Sequence, residues 1–150
     1  LQPTIISNQN LKEQFEILYG KNVLDKCIDF VDEKNKDDFK KYLNGNKLSI
    51  CNMFITKPKI FNSYCDDMFN WINKCFDYCA ENNLLKEENM RLPVFMVERF
   101  TSFWFEKHTN VKYLSFARLG NFFLSEKINK LINPLRIPLT FRIYPTIHKY

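Results

Sequence analysis

The run Arg91-Leu-Pro-Val-Phe-Met-Val-Glu-Arg-Phe-Thr-Ser-Phe-Trp-Phe105 constrains the fold of this chain more than any other segment. Pro93 suits the first turn of a helix, where its missing N–H costs no hydrogen bond, and no glycine or second proline interrupts the run up to His108. Val94, Phe95, Met96, Val97, Phe100, Phe103, Trp104 and Phe105 cover more than one face, which predicts a helix central to the core. The same helix carries Glu98 and Arg99. Adjacent helical residues project roughly 100° apart, so the two do not satisfy each other across one face. A buried unpaired ion is costly, so each requires a partner elsewhere, or a ligand in a cleft.

The rest of the composition bounds what such a helix can be part of. A chain of 150 residues, 45% hydrophobic and 16% aromatic with 15 Phe, has enough apolar surface for a real core and reads as a single domain over 1–150. Only 3 Gly occur, and neither a GxGxxG nor a GxxxxGK[ST] pattern is present, so the common phosphate-cradling loops are absent from the sequence. The net charge of +5 is spread over lysines interleaved with Asp, Glu and Asn. The nearest thing to a basic cluster is Arg118, Lys127, Lys130, Arg136, Arg142 and Lys149, set among Phe122, Phe123, Leu131, Ile132, Leu135 and Ile137. That mixture suits an anionic membrane surface better than nucleic acid, which is not an expected partner. Cys27, Cys51, Cys65, Cys75 and Cys79 show no CxxC spacing, which suggests neither zinc nor a disulfide framework and points to the cytoplasm. No apolar run reaches ~18 residues, and Leu1-Gln-Pro-Thr does not resemble a signal peptide.

Along the chain, Leu1 to Ile6 reads as the tail of a strand. Asn8 or Asn10 caps a helix through Leu11, Phe15, Ile17 and Leu18 that stops at Gly20. Val23, Leu24, Cys27, Ile28 and Val31 recur at helical spacing, and a short third helix begins at Asp37 or Asp38 and ends at Asn44-Gly45. Leu48 to Ile55 reads as a strand, with Asn52 marking a bulge, an edge position or an amide at a polar site. A long helix runs from Pro58 to about Asn82, its stripe formed by Ile60, Phe61, Tyr64, Met68, Trp71, Ile72, Cys75, Phe76 and Cys79. Val111 to Ala117 alternates as a strand does, Ser125 caps a last helix to Asn133, and the proline-bearing end is extended.

Chemistry is sparse in these residues. His108 and His148 lie in no recognisable nucleophilic arrangement and read as surface residues. The pairs Asp37-Asp38, Asp66-Asp67 and Glu87-Glu88 sit on polar helix edges, and no Asp-x-Asp is present. The residues by themselves describe a helix-rich α/β domain with one unusual helix.

Three stretches carry a resemblance beyond that. Cys51-Asn-Met-Phe-Ile-Thr-Lys-Pro-Lys-Ile-Phe-Asn-Ser-Tyr-Cys65, followed by Met68-Phe69, resembles an Asn-Met-Phe-Ile segment leading into a Tyr-Cys helix. Arg91 to Phe100, with Glu98-Arg99, resembles a second signature of the same family, and Phe15 to Val31 resembles a third segment. The family is domain of unknown function 4422, found in bacterial capsular-polysaccharide and lipopolysaccharide glycosyltransferases, and the resemblance covers roughly residues 1–118.

This resemblance implies the C-terminal portion of a GT-A-like glycosyltransferase fold, a small sheet packed by helices. It implies a nucleotide-sugar donor and a glycan or lipid-linked acceptor, with the nucleotide-binding strands, and any divalent Mn or Mg cation, upstream of Leu1. Within that frame Glu98 is the candidate catalytic residue, as general base on an acceptor hydroxyl or as a stabiliser of oxocarbenium charge. Asn52, Arg91 and Arg99 are the candidate substrate-binding residues: the amide for sugar hydroxyls, the guanidinium groups for a diphosphate. The expected location is the cytoplasm, peripherally on the inner face of the plasma membrane. The alternative is a non-catalytic accessory or interaction domain derived from the same fold.

Overall fold

The computed structural model describes residues 4–5, 9–49 and 52–113. In chain order these form strand β1 (Thr4–Ile5), helices α1 (Leu11–Tyr19), α2 (Val23–Asp29) and α3 (Glu33–Leu43), strand β2 (Lys47–Leu48), helix α4 (Pro58–Glu81), a single 3-10 turn (Glu87–Asn89) and helix α5 (Leu92–His108). The architecture is helix-rich with almost no sheet.

Local chemistry accounts for the helix ends. At the start of α1 the Asn10 side chain accepts from the Glu13 N–H at 2.8 Å, and Glu13 returns a bond to the Asn10 N–H at 3.1 Å, a reciprocal capping box. Gly20 stops the helix with φ 100°, a backbone state that suits a residue without Cβ. The third helix starts earlier than its acidic-aromatic pattern suggested. Asp32, whose side chain accepts from the Lys34 N–H at 3.1 Å, is the cap, so the polar turn Glu33 to Lys36 is already helical. Lys57 precedes α4, Pro58 opens it, and Pro93 lies in the first turn of α5.

Of the expected strand Leu48 to Ile55, Leu48 is paired, residues 52–55 are not, and residues 50–51 lie outside the described residues. Among the described residues, regular pairing comprises Lys47–Leu48 against Thr4–Ile5, antiparallel, with Thr4 opposite Leu48. Asn52 sits at φ 48°, in the left-handed region, and residues 53–57 are irregular. The physical reason is at Asn52: its short amide tolerates a left-handed backbone, which turns the chain out of extended geometry. Val111 to Tyr113 has no regular structure, and the expected elements beyond it, with the basic-aromatic segment, lie outside the described residues.

Helix α5 is the centre, packing on α4, α3, α1 and β2. Of the expected apolar set, Met96, Phe100, Phe103 and Trp104 are buried and Phe95, Val97 and Phe105 half-buried, whereas Val94 is exposed; Leu92 is buried as well. Trp71 of α4 stacks on Phe100 at 4.7 Å between centroids, while Phe39 of α3 meets Phe100 and Trp71 edge-on at 5.6 and 5.7 Å. The predicted stripe of α4 divides in two. Tyr64, Met68, Trp71, Ile72, Cys75 and Cys79 are buried, whereas Phe61 and Phe76 are exposed, as is Phe69. Cys27, Cys75 and Cys79 are free thiols packed as small apolar groups.

Candidate functional site

The two charges of α5 are buried and diverge. Arg99, only 2% exposed, turns toward α1: its Nε donates to the Leu11 carbonyl at 3.2 Å and its Nη2 to Gln14 Oε1 at 2.6 Å. Nη1 donates to the Phe95 carbonyl at 3.0 Å, and the guanidinium lies 5.1 Å above the Phe15 ring. These contacts make Arg99 a clamp between α1 and α5.

Glu98, 8% exposed, lies on another face. One turn further along that face is Ser102, whose Oγ accepts from the Ser49 N–H at 3.1 Å and donates to the Ser49 carbonyl at 3.2 Å. Ser49 immediately follows β2, so this face of α5 is pinned to the C-terminal end of the small sheet. Arg91 stands at the N-cap of α5, seven residues before Glu98. It is exposed, with its guanidinium 5.2 Å above Phe95. That ring meets Tyr19 of α1 at 5.6 Å, so Arg91 and Arg99 both gather about Phe95.

Asn52 stands at the turn beyond β2, and its buried Oδ1 finds no hydrogen-bond partner among the described residues. It borders a shallow concavity of about 610 Å³ lined by Met53, Phe54, Ile55, Thr56, Pro58 and Phe61. Phe54 anchors this segment, its ring 4.5 Å from Phe105 and 5.4 Å from Tyr64.

Several buried polar links have no signature in sequence spacing. Tyr64 meets Thr101 Oγ1 at 2.7 Å, and Thr101 in turn donates to the Val97 carbonyl. Burial pushes the Tyr64 phenol above its ordinary pKa, an effect that the Thr101 bond partly offsets. Asp67 accepts from Trp104 Nε1 at 2.8 Å and pairs with Lys34 at 3.2 Å, joining α3, α4 and α5. His108 bonds Asn35 at 3.1 Å and lies 4.7 Å from the Trp104 ring, which makes it a structural contact. The one sequence signal for these links was polar Thr101 and Ser102 inside an otherwise apolar helix.

No group of three or more His, Cys, Asp or Glu among the described residues is placed to hold a metal ion. The donor set does not fit a divalent cation there, and the roles proposed below use side chains alone. Among the same residues no helix is long and apolar enough to cross a membrane.

The fold and site thus define a class: an α-rich domain around one apolar helix that buries a carboxylate and a guanidinium. The chain belongs to the domain of unknown function family DUF4422, whose model matches residues 2–110. No curated protein and no solved structure matches it.

Proposed function

We propose that this chain is the acceptor-side part of a glycosyltransferase that moves a sugar from a nucleotide-sugar donor onto a glycan or lipid-linked acceptor during bacterial surface polysaccharide synthesis. The observation that carries the reading is the position of Glu98. A carboxylate only 8% exposed on the central helix, one turn before the Ser102 that bonds Ser49, suits the role of a general base. Family membership and the resemblance of the Asn52 and Glu98 segments to polysaccharide glycosyltransferases support the same reading. Arg91, exposed at the N-terminus of α5, is the better candidate for a diphosphate contact. Asn52 offers an amide at the adjoining turn. The competing reading, a non-catalytic interaction domain, draws support from Arg99, whose donors hold α1.

The test is Glu98→Gln in the complete encoded polypeptide, with transfer from a nucleotide sugar followed alongside thermal unfolding. The amide is nearly isosteric but is no base. We expect transfer to fall by roughly 100-fold or more with the melting temperature little changed. A variant that melts early yet retains its activity per folded molecule would instead make Glu98 a structural residue.

A further inference from the structure

The segment from Asn52 to Phe61 presents apolar side chains to solvent in a way the fold does not require. Phe54 is anchored inward against Phe105 and Tyr64, and this turns its neighbours outward: Ile55 is 97% exposed and Met53 53%. Phe61, on the first turn of α4, is 45% exposed and lines the same concavity as both. A single exposed aliphatic residue needs no explanation, but three converging on one concavity form a patch.

Charge identifies what the patch fits. Lys57 and Lys59 are exposed beside it, and no carboxylate among the described residues lines it. Between Asp38 and Asp66 the chain carries Lys40, Lys41, Lys47, Lys57 and Lys59 and not one Asp or Glu. That stretch alone holds as much excess positive charge as the whole chain, +5. Protein–protein interfaces are depleted in lysine, whereas an interfacial lipid contact combines apolar side chains below the headgroups with lysines at their level. The irregular backbone of 53–57 limits insertion to the headgroup boundary, because its N–H and C=O groups must stay solvated.

We propose that the Met53–Phe61 lip is a docking surface for an anionic lipid bilayer, with Ile55, Met53 and Phe61 entering the interface and Lys57 and Lys59 meeting the lipid phosphates. The proposal is independent of sugar transfer, since none of these five residues belongs to the proposed catalytic or sugar-binding set.

The experiment is co-sedimentation of the 150-residue chain with vesicles of phosphatidylcholine alone and of phosphatidylcholine with phosphatidylglycerol. The unaltered chain should partition onto the anionic vesicles, and less so as salt rises. Lys57→Gln with Lys59→Gln should lower the partition coefficient by roughly tenfold or more, each lysine near such a surface contributing about fivefold. Ile55→Ser should weaken binding without shifting the melting temperature, because the side chain touches almost nothing. Absence of binding to anionic vesicles, or binding unchanged in both variants, overturns the proposal. So does an Ile55→Ser variant that instead dissociates an oligomer in sedimentation velocity, which would assign the lip to a second copy of the chain. Loss of transfer in Glu98→Gln leaves vesicle binding intact, so the two readings fail separately.

Discussion

Arg99 holds α1 against α5 through two α1 acceptors, and its third bond returns to its own helix. The sequence posed the question of how a charge survives on such a helix; carbonyl dipoles and an amide, with the Phe15 ring beneath, are the answer. Removing the guanidinium deletes both side-chain bonds between α5 and α1 that Arg99 makes and leaves its buried site unfilled. Arg99→Leu should therefore destabilise by about 2–4 kcal/mol in urea unfolding. Arg99→Lys should recover only part of the loss, since an ammonium lacks the planar fork that reaches two acceptors. A variant of full stability that fails only in catalysis would return Arg99 to the substrate-binding set. Glu98, one residue away, was equally legible as a buried charge, but its direction was not, because a one-residue step along a helix changes the neighbour entirely.

At the scale of elements, what the sequence showed depended on how local the determinant was. The limits of α1, α4 and α5 follow from Asn10, Gly20, Pro58 and Pro93, each acting within a turn of its own position. The start of α3 was misplaced because Asp32 and Asp37 are equally good caps on paper. The choice of Asp32 makes Glu33 to Lys36 helical and places Lys34 against Asp67. The strand after Gly45 was overextended, since alternating apolar residues fit a sheet only where a partner strand exists, and β1 pairs just two residues. The α4–α5 junction carries a prediction of its own. Tyr64→Phe removes the bond to Thr101 from a buried site, and denaturant unfolding should show a loss of about 1 kcal/mol. At the other end of the fold, Asn10→Ala breaks the capping box of α1 and should also cost about 1 kcal/mol, with helicity lost from that element.

Across the whole molecule, the C-terminal turn of α5 is tied to α3 by His108 on Asn35 and by Lys107 on Asp38 at 2.6 Å. Burial, and then the nearby Lys107 charge, hold the His108 pKa below its ordinary 6.5. The folded state thus favours the neutral ring. Its contribution to stability is complete above pH 6.5 and is lost as the pH falls through the lower folded value. His108→Gln should accordingly show a smaller drop in urea midpoint than the unaltered chain between about pH 7 and pH 5. Equal drops in the two would mean that other groups set the acid limb.

The sequence by itself determined a central apolar helix, the long helix packed on it, most helix caps, the family, and the presence of two charges needing partners. These rest on periodicity, on capping chemistry and on segment identity, all local. Only the tertiary structure decided that Arg99 clamps α1 while Ser102 is bonded to Ser49 after β2. It also decided that Phe61 and Phe76 of the α4 stripe face solvent, and that Asn52 turns the chain so that Ile55 is laid bare. Those outcomes depend on which elements pack on which face, and that is fixed by contacts between residues far apart in the chain.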